Sequence, residues 1–283
     1  MPGPAVSTFG GMVTQQDKAE QFLDLHHKGG PLLLPNPWDE GSAKLLSSLG
    51  FSALATTSGG FAATLGRLDG MVTRDEALDH VARIVAATDL PVSADLENGF
   101  ADDPAGVADT MEGALSAGLA GCSVEDFTRD RGAPIYEVGL AAARVEAAAE
   151  AAHRGPVRMV LTARAENYLH DRKDLADTIT RLQRYQEAGA DVLYAPGLTN
   201  LEEIRRLVES VDRPVNVLAL PGGPAVSELE AAGVRRISVG GAFAYVALGA
   251  VVAAARELVD EGTYGFWDQA KIGISASRAA FAT

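Results

Sequence analysis

Asp95 and Glu97 stand two residues apart in the stretch Ala94-Asp95-Leu96-Glu97-Asn98-Gly99, and a second acidic pair, Glu125-Asp126, follows an apolar run further along. A spacing of two places both side chains on one face of an extended strand. Clustered carboxylates repel one another unless a cation or a proton intervenes. A hard divalent cation prefers carboxylate oxygens and water, and Mg²⁺ uses only one or two carboxylates directly. Asp95, Glu97, Glu125 and the loop residue Asp69 are therefore candidate ligands for Mg²⁺, with Mn²⁺ as its substitute. The plainer reading is that such acids cap helices. It suits Asp39 and Asp102 but not an acid pair at a strand end followed by another acid on the next strand.

Arg164 closes a later apolar run and is the cationic counterpart, with a planar fork suited to a carboxylate or an enolate oxygen. Its alternative use is a salt bridge to Glu125 or Glu166. Ser58-Gly59-Gly60 offers a hydroxyl and amides that a carboxylate can approach closely. Trp38, Asp39 and Asn216 complete the substrate-binding candidates, and Arg131 joins Arg164 and Glu125 as a catalytic candidate. Glu166, Tyr168 and Arg131 are candidates for moving a proton. Lys18, Lys28, Lys44, Lys173 and Lys271 all lie away from strand ends, which argues against a Schiff-base mechanism. Cys122 reads as a small core residue and His170 as a surface-loop histidine.

These residues need a frame that brings strand ends together. Apolar runs at 31–38, 51–58, 91–98, 122–126, 157–166, 191–196, 214–220 and 235–240 alternate with amphipathic stretches. The pattern predicts a parallel sheet covered by helices. Eight units, and no dinucleotide fingerprint after the first, favour a closed (β/α)8 TIM barrel over an open sheet. Reacting groups in such barrels sit at the C-terminal ends of strands. Gly50, Gly118, Gly189 and Gly233 suit left-handed helix ends leading into strands. An extra helix over 15–27 precedes the first strand. The barrel with this helix covers 1–262, and a C-terminal helical tail, 263–283, packs on the barrel or on a neighbouring subunit.

At 283 residues, one barrel of ~250 residues absorbs nearly the whole chain. Asp and Glu outnumber Lys and Arg 38 to 24, and the formal charge of −14 disfavours nucleic acid and anionic membrane as partners. The single cysteine excludes an intramolecular disulfide framework and agrees with a cytoplasmic location. The N-terminus lacks the order of a secretory signal. Residues 237–255 carry no charge and approach a membrane-spanning length. Their Gly and Ala content instead predicts a strand and then a small-residue helix buried against neighbours.

The motifs resemble the isocitrate lyase and phosphoenolpyruvate mutase superfamily over about 33–255. The family's Asp-Ala-Asp-Thr-Gly-Tyr-Gly segment is similar to Asp95-Leu96-Glu97-Asn98-Gly99-Phe100-Ala101, and Glu125-Asp126, Leu65-Gly66-Arg67-Leu68-Asp69, Ser58-Gly59-Gly60, Ala163-Arg164 and Ala188-Gly189-Ala190-Asp191 match in order. The resemblance implies Mg²⁺ bound directly by Asp95, with Asp69, Glu97 and Glu125 acting through water. It also implies a small carboxylate substrate held by Ser58, Gly59 and Arg164, a loop at 128–134 that closes over it, and a last helix exchanged between subunits of a homodimer or homotetramer. This chain departs where the lyase branch has Lys-Lys-Cys-Gly-His, carrying Thr128-Arg129-Asp130-Arg131-Gly132 instead. Glu97 replaces an Asp, and Pro196 stands where a Glu or His is common. The expectation is a Mg²⁺-dependent lyase or decarboxylase that breaks a C–C bond next to a 2-oxo or 2-hydroxy carboxylate. The alternatives are a phosphonopyruvate-type C–P hydrolase or mutase, a barrel binding a phosphate or flavin phosphate at Leu220-Pro221-Gly222-Gly223 and Gly240-Gly241, and a non-catalytic 2-oxo acid binding protein.

Overall fold

The computed structural model describes residues 13–282; the start of the N-terminal stretch that lacks a secretory pattern (1–12) and the last residue of the tail lie outside them. Eight strands form one sheet: β1 (Leu32–Leu34), β2 (Leu54–Ala55), β3 (Val92–Asp95), β4 (Gly121–Glu125), β5 (Val160–Arg164), β6 (Val192–Tyr194), β7 (Val215–Leu218) and β8 (Arg236–Ser238). All ladders are parallel, in the order β1-β8-β7-β6-β5-β4-β3-β2. The seam between β1 and β2 is bridged where the Ala55 amide donates to the Pro35 carbonyl at 3.0 Å. Asn36 reinforces it from the buried interior. Its Nδ2 donates to the Thr56 carbonyl, and its Oδ1 accepts from the Val239 and Gly240 amides. The fold is the expected (β/α)8 barrel, seven strands lying inside their sequence windows but shorter than them and β4 shifted one residue toward the N-terminus of its own.

Helices α1 (Gln15–His27), α2 (Glu40–Ser48), α3 (Ser58–Thr64), α4 (Arg74–Ala86), α5 (Pro104–Ser116), α6 (Val138–Ala152), α7 (Leu175–Glu187), α8 (Leu201–Glu209), α9 (Val226–Ala231), α10 (Ala242–Arg256) and α11 (Trp267–Phe281) surround or extend this barrel. Gly50, Gly118, Gly189 and Gly233 all have positive φ, as their places between helix and strand require. Helix α1 covers the N-terminal end of the barrel. A Cβ on Gly121 would lie 2.6 Å from the Phe22 ring and 2.9 Å from the Val160 carbonyl, so only glycine lets α1 sit this close. His26, on the same helix, is fully buried. Its Nδ1 lies 2.7 Å from the Phe22 carbonyl, leaving Nε2 to face Arg236. Burial pulls its pKa down to about 3, so this ring is neutral.

Helix α10 corrects one expectation. The small-residue helix after β8 is not buried against its own chain: only Ala244 is buried, while Val246, Leu248, Val251 and Val252 are exposed. With the π turn Glu257–Glu261 it forms a 20-residue helix of mean hydropathy 1.7, long and apolar enough to cross a membrane by length and composition alone. Leu33, on the outer face of β1, is 43% exposed. Thus the small side chains that suit close helix packing meet almost no partner within the chain. Beyond α10, α11 returns to pack on α2, with Ala280 buried and the Phe281 ring beside Gly41.

Replacing Asn36 by Leu removes three hydrogen bonds and leaves two amides and a carbonyl without partners at the seam. At ~1–3 kcal/mol for an unsatisfied buried group, with partial relaxation, Asn36→Leu is expected to lower unfolding free energy by about 3 kcal/mol. Urea unfolding checks this, and an unchanged midpoint would contradict the role given to Asn36.

Candidate active site

A cavity of about 210 Å³ opens at the C-terminal ends of the strands, bordered by Ser58, Gly59, Asp69, Asp95, Arg164, Tyr194, Arg236 and Tyr245 among others. Arg164, the last residue of β5, organises its acidic side. Nη1 lies 2.9 Å from Asp95 Oδ1, Nη2 3.2 Å from Glu125 Oε2, and Nε 2.8 Å from Glu166 Oε1. Strand register makes one of these contacts unavoidable, since Glu125 and Arg164 are paired across β4 and β5. Burial pushes Glu125 well up and Glu166 up to about 7, while the Arg164 charge acts in the opposite direction on both. Burial also works against the guanidinium's own charge, yet Glu166, Glu125 and Asp95 hold Arg164 firmly protonated.

Buried groups outside the cavity hold these strand ends in place. Arg144 lies 4.0 Å above the Tyr136 ring and donates to the carbonyls of Asn98, Ala101 and Glu125. Asp126 accepts from the Glu166 amide at 2.8 Å, the Tyr185 hydroxyl at 2.6 Å and Arg181 at 3.2 Å. The pair Glu125-Asp126 thus divides its work, Glu125 facing Arg164 and Asp126 anchoring the start of the next loop.

The four expected metal ligands lie near enough for the charges of Asp95, Asp69 and Glu97 to act on one another and on Glu125, but they do not share one strand face. Strand β3 ends at Asp95, and Glu97 has φ +49°, so the two acids do not continue along one strand face. Asp95 borders both the main cavity and a small adjoining one, while Glu97 borders only the small one and pairs with Arg129. Among the described residues no group of three or more His, Cys, Asp or Glu is arranged to hold an ion. What the mouth does present is Asp95 with Asp69. Asp69 lies on an exposed loop, but its carboxylate end is enclosed enough for burial, and then the Asp95 charge, to push its pKa up. Asp95 Oδ2 also accepts from the Ser58 amide at 3.3 Å and hydroxyl at 3.0 Å. Two like charges with hydroxyl oxygen nearby fit a hard cation bound by one direct carboxylate, with water filling its remaining positions.

Other candidates are redistributed. Ser58 and Gly59 border the cavity, but Ser58-Gly59-Gly60 is the first turn of α3, capped by Thr57, and not an open loop. A Cβ on Gly59 would lie 3.0 Å from the Tyr245 hydroxyl and 3.2 Å from Asp69, so glycine is needed for this approach. Gly60 serves packing, a Cβ there meeting Thr57 at 2.5 Å and Trp38 at 3.1 Å. Trp38 does not border the cavity; its carbonyl faces His80 at 3.0 Å. Asp39 is the N-cap of α2, engaged with Ser42, because the carboxylate meets the free amides of the first turn. Asn216 is buried beside the cavity and donates to Ser238 at 3.0 Å. Arg131 is exposed in its turn and makes no ion pair among the described residues. Arg129, two residues earlier, is the loop arginine that reaches the acids. The loop is pinned further by the Thr128 amide on the Pro134 carbonyl and by Phe127 stacked 4.0 Å from His170. Tyr168 bonds Glu203 and is absent from the cavity wall. Cys122 is a buried core residue beside Met111, as expected.

Sequence reasoning missed Tyr194, Arg236, Arg129 and Tyr245. Tyr194 and Arg236 carried a usable signal, since each occupies an alternate position in its short strand. Arg129 and Tyr245 carried none beyond their residue types.

Residues 22–259 match the family model described as phosphoenolpyruvate phosphomutase. A candidate lyase/mutase from Burkholderia cenocepacia J2315 superposes with a TM-score of 0.87 and is 52% identical, covering 89% of this chain and 91% of that one. Oxaloacetate acetylhydrolase in complex with oxalate superposes at 0.80 with 25% identity, covering 89% and 90%. The 2-methylisocitrate lyase of Halalkalibacterium halodurans is 29% identical over 205 residues, covering 71% of this chain and 67% of the lyase.

Arg164→Met would leave three enclosed carboxylates without their shared partner. Removing one side of a buried ion pair costs ~3–5 kcal/mol. A carboxyl whose folded pKa lies above its unfolded value destabilises increasingly as pH rises from about 4.5 to about 7, the value for Glu166. The loss in Arg164→Met is therefore expected to be larger at pH 8 than at pH 5. Urea unfolding at the two pH values measures it, and an equal loss at both would contradict the charge-based account.

Proposed function

Because the chain belongs to the phosphoenolpyruvate mutase family, within the wider superfamily that includes isocitrate lyase, we propose that it is a divalent-cation-assisted lyase or decarboxylase. The bond it breaks is a C–C bond next to a 2-oxo or 2-hydroxy carboxylate. The observation that carries this reading is the Arg164 guanidinium, which borders the cavity while touching Asp95. Of its five N–H groups, three are engaged by Asp95, Glu125 and Glu166, leaving one on each Nη for a substrate oxygen.

Asp95 would hold Mg²⁺ directly and Asp69 through water, with Mn²⁺ able to substitute, and the bound cation would supply Lewis acidity toward the substrate's carboxylate and 2-oxo oxygens. The protein's own groups act around those oxygens. Gly59, in the first turn of α3, presents an amide with no intrahelical acceptor, and Ser58 keeps Asp95 oriented. In a 2-oxo acid that loses the carboxylate carried on C3, the C3–carboxylate pair becomes the C2–C3 double bond, the carbonyl pair moves onto the 2-oxo oxygen and CO2 leaves. Arg164 and the Gly59 amide donate to this enolate oxygen. Tyr194, whose hydroxyl burial pushes up to about 12, carries a proton at neutral pH and delivers it from Oη to the enolate carbon.

A homodimer or homotetramer belongs to the same proposal. The exposed apolar side of α10 and the uncovered Leu33 face of β1 are complementary needs that a second copy of the chain meets together. Light scattering at micromolar concentration is expected to give a dimer or tetramer mass. A monomer would remove this part of the proposal. The small buried cysteine count also fits cytoplasmic residence.

Asp95→Ala is expected to lower kcat/KM on oxaloacetate or a 2-methylisocitrate-type substrate by ~10²–10³-fold, and chelation of Mg²⁺ should do the same to the unaltered protein. Tyr194→Phe should lower kcat by ~10²-fold or more as a lost proton donor. Turnover that persists in Asp95→Ala and in chelator would rule out the site; phosphate release from phosphonopyruvate with no C–C cleavage would move the reaction to C–P chemistry.

A further inference from the structure

The loop between β4 and α6 takes no part in the reaction proposed above, yet it is stiff and tied to the rim of the site. Its ends are fixed, since the Asp126 amide donates to the Arg164 carbonyl at 3.2 Å and the Tyr136 amide to the Asp126 carbonyl at 2.9 Å. Phe127 and Ile135 form an antiparallel bridge, and Thr128 donates from its amide to the Pro134 carbonyl and from its hydroxyl to the Ala133 carbonyl. Residues 127–135 thus form a small flap that moves as one body.

Near its tip stands Arg129, in left-handed backbone with φ +66°. Four described residues other than glycine have positive φ: Glu97 at +49°, Phe100 at +56°, Arg129, and Asp171, which ends the short turn Asn167–His170. The first three meet. The Arg129 guanidinium pairs with the Glu97 carboxylate and lies 5.2 Å from the centre of the Phe100 ring. Strained backbone persists only where surrounding contacts over-determine it, and it gathers at clamps and switches. Here the strained residues of two different loops hold one another.

The Glu97 side is the fixed one. Arg144 donates to the carbonyls of Asn98 and Ala101, and the Thr110 hydroxyl to that of Gly99 at 2.7 Å, which anchors the loop after β3. The Glu97 amide in turn donates to Asp95 Oδ1 at 3.3 Å. Against this anchor the flap has one polar tie. Among the described residues, the Arg129–Glu97 pair is the only hydrogen bond or ion pair that leaves residues 128–134 for the rest of the barrel.

We infer that residues 127–135 are a self-latched flap and that Arg129 is its latch, holding the tip down on Glu97 and Phe100. The latch is built from groups of the chain alone, so closure needs no ligand. Its parting uncovers Glu97, now 7% exposed, beside Asp95. Release also returns Arg129 to ordinary backbone angles and to water, which offsets the lost pair and keeps the flap openable. This role is independent of which bond the site breaks.

Hydrogen exchange of the full chain, read by mass spectrometry, tests the latch, with trypsin cleavage after exposed Arg131 as a second readout. Arg129→Gly removes the latch while suiting the left-handed backbone. Amides of 128–134 are then expected to exchange ~tenfold faster or more, and cleavage after Arg131 to quicken alike, with the strand peptides unchanged. Arg129→Lys keeps the charge without the planar fork and should restore part of the protection. Glu97→Gln should loosen the same peptides from the other side of the pair. Unchanged protection in Arg129→Gly would mean that the backbone alone holds the flap and overturns the latch, as does loosening that spreads through the whole barrel. Should Arg129→Gly fail to fold, Glu97→Gln decides on the same two readouts.

Discussion

The contact of Arg164 with Asp95, Glu125 and Glu166 is the constraint on which the mouth of this barrel depends. Three strand-end carboxylates this close to one another, and this shielded from water, could not all stay ionised alone. One planar guanidinium answers all three because its N–H groups diverge in a fixed fork. Lysine offers a single point charge and could not meet three oxygens from three directions. Burial opposes the charges of Glu125, Arg164 and Glu166, so the stability of the cluster comes from mutual neutralisation.

That neutralisation shapes what remains reactive. Glu125 and Glu166 are held by Arg164, and Glu97 by Arg129, so none of the three is a free carboxylate. Asp69 has no ion pair among the described residues and faces an Asp95 that shares Arg164 with two other carboxylates at the mouth, while Arg236 at the floor has no ion pair among them either. The cavity is therefore polarised along its depth. A net charge of −14 would repel small anions at long range, so this internal separation matters more to anion capture than the global field.

The frame was legible because it rests on strong, repeated signals. Eight apolar runs, and glycines with positive φ between helix and strand, follow directly from burial and backbone geometry. Asp95, Arg164 and Glu125 were legible for a related reason: short strands ending in charge must place that charge at the open end of the barrel. Glu97 was misread because period-two reasoning holds only while the strand lasts, and β3 stops at Asp95. Arg131 was misread because a turn's direction is set by contacts absent from its sequence, here those of Phe127 and Arg129. The interior layer was overlooked although it alternates visibly, with Ser93 and Asp95 on β3, Ser123 and Glu125 on β4, and Thr162 and Arg164 on β5. Barrel interiors are dominated by branched apolar residues. A run of polar residues at those positions is itself a sign that the interior serves something other than packing.

Helix α10 bears on the site through a different physical constraint. Small residues in a helix indicate close packing but not with which chain. Helix α10 buries only Ala244 within its own chain, so little beyond its first turn fixes its direction. Yet that first turn carries Tyr245, whose hydroxyl, like the Asp69 carboxylate, lies close enough to Gly59 to exclude a side chain there. Whatever surface covers the apolar side of α10 therefore also sets the position of Tyr245, and through it the shape of the mouth where Asp69 faces Asp95. One helix thus carries both an exposed apolar side and a residue of the cavity wall.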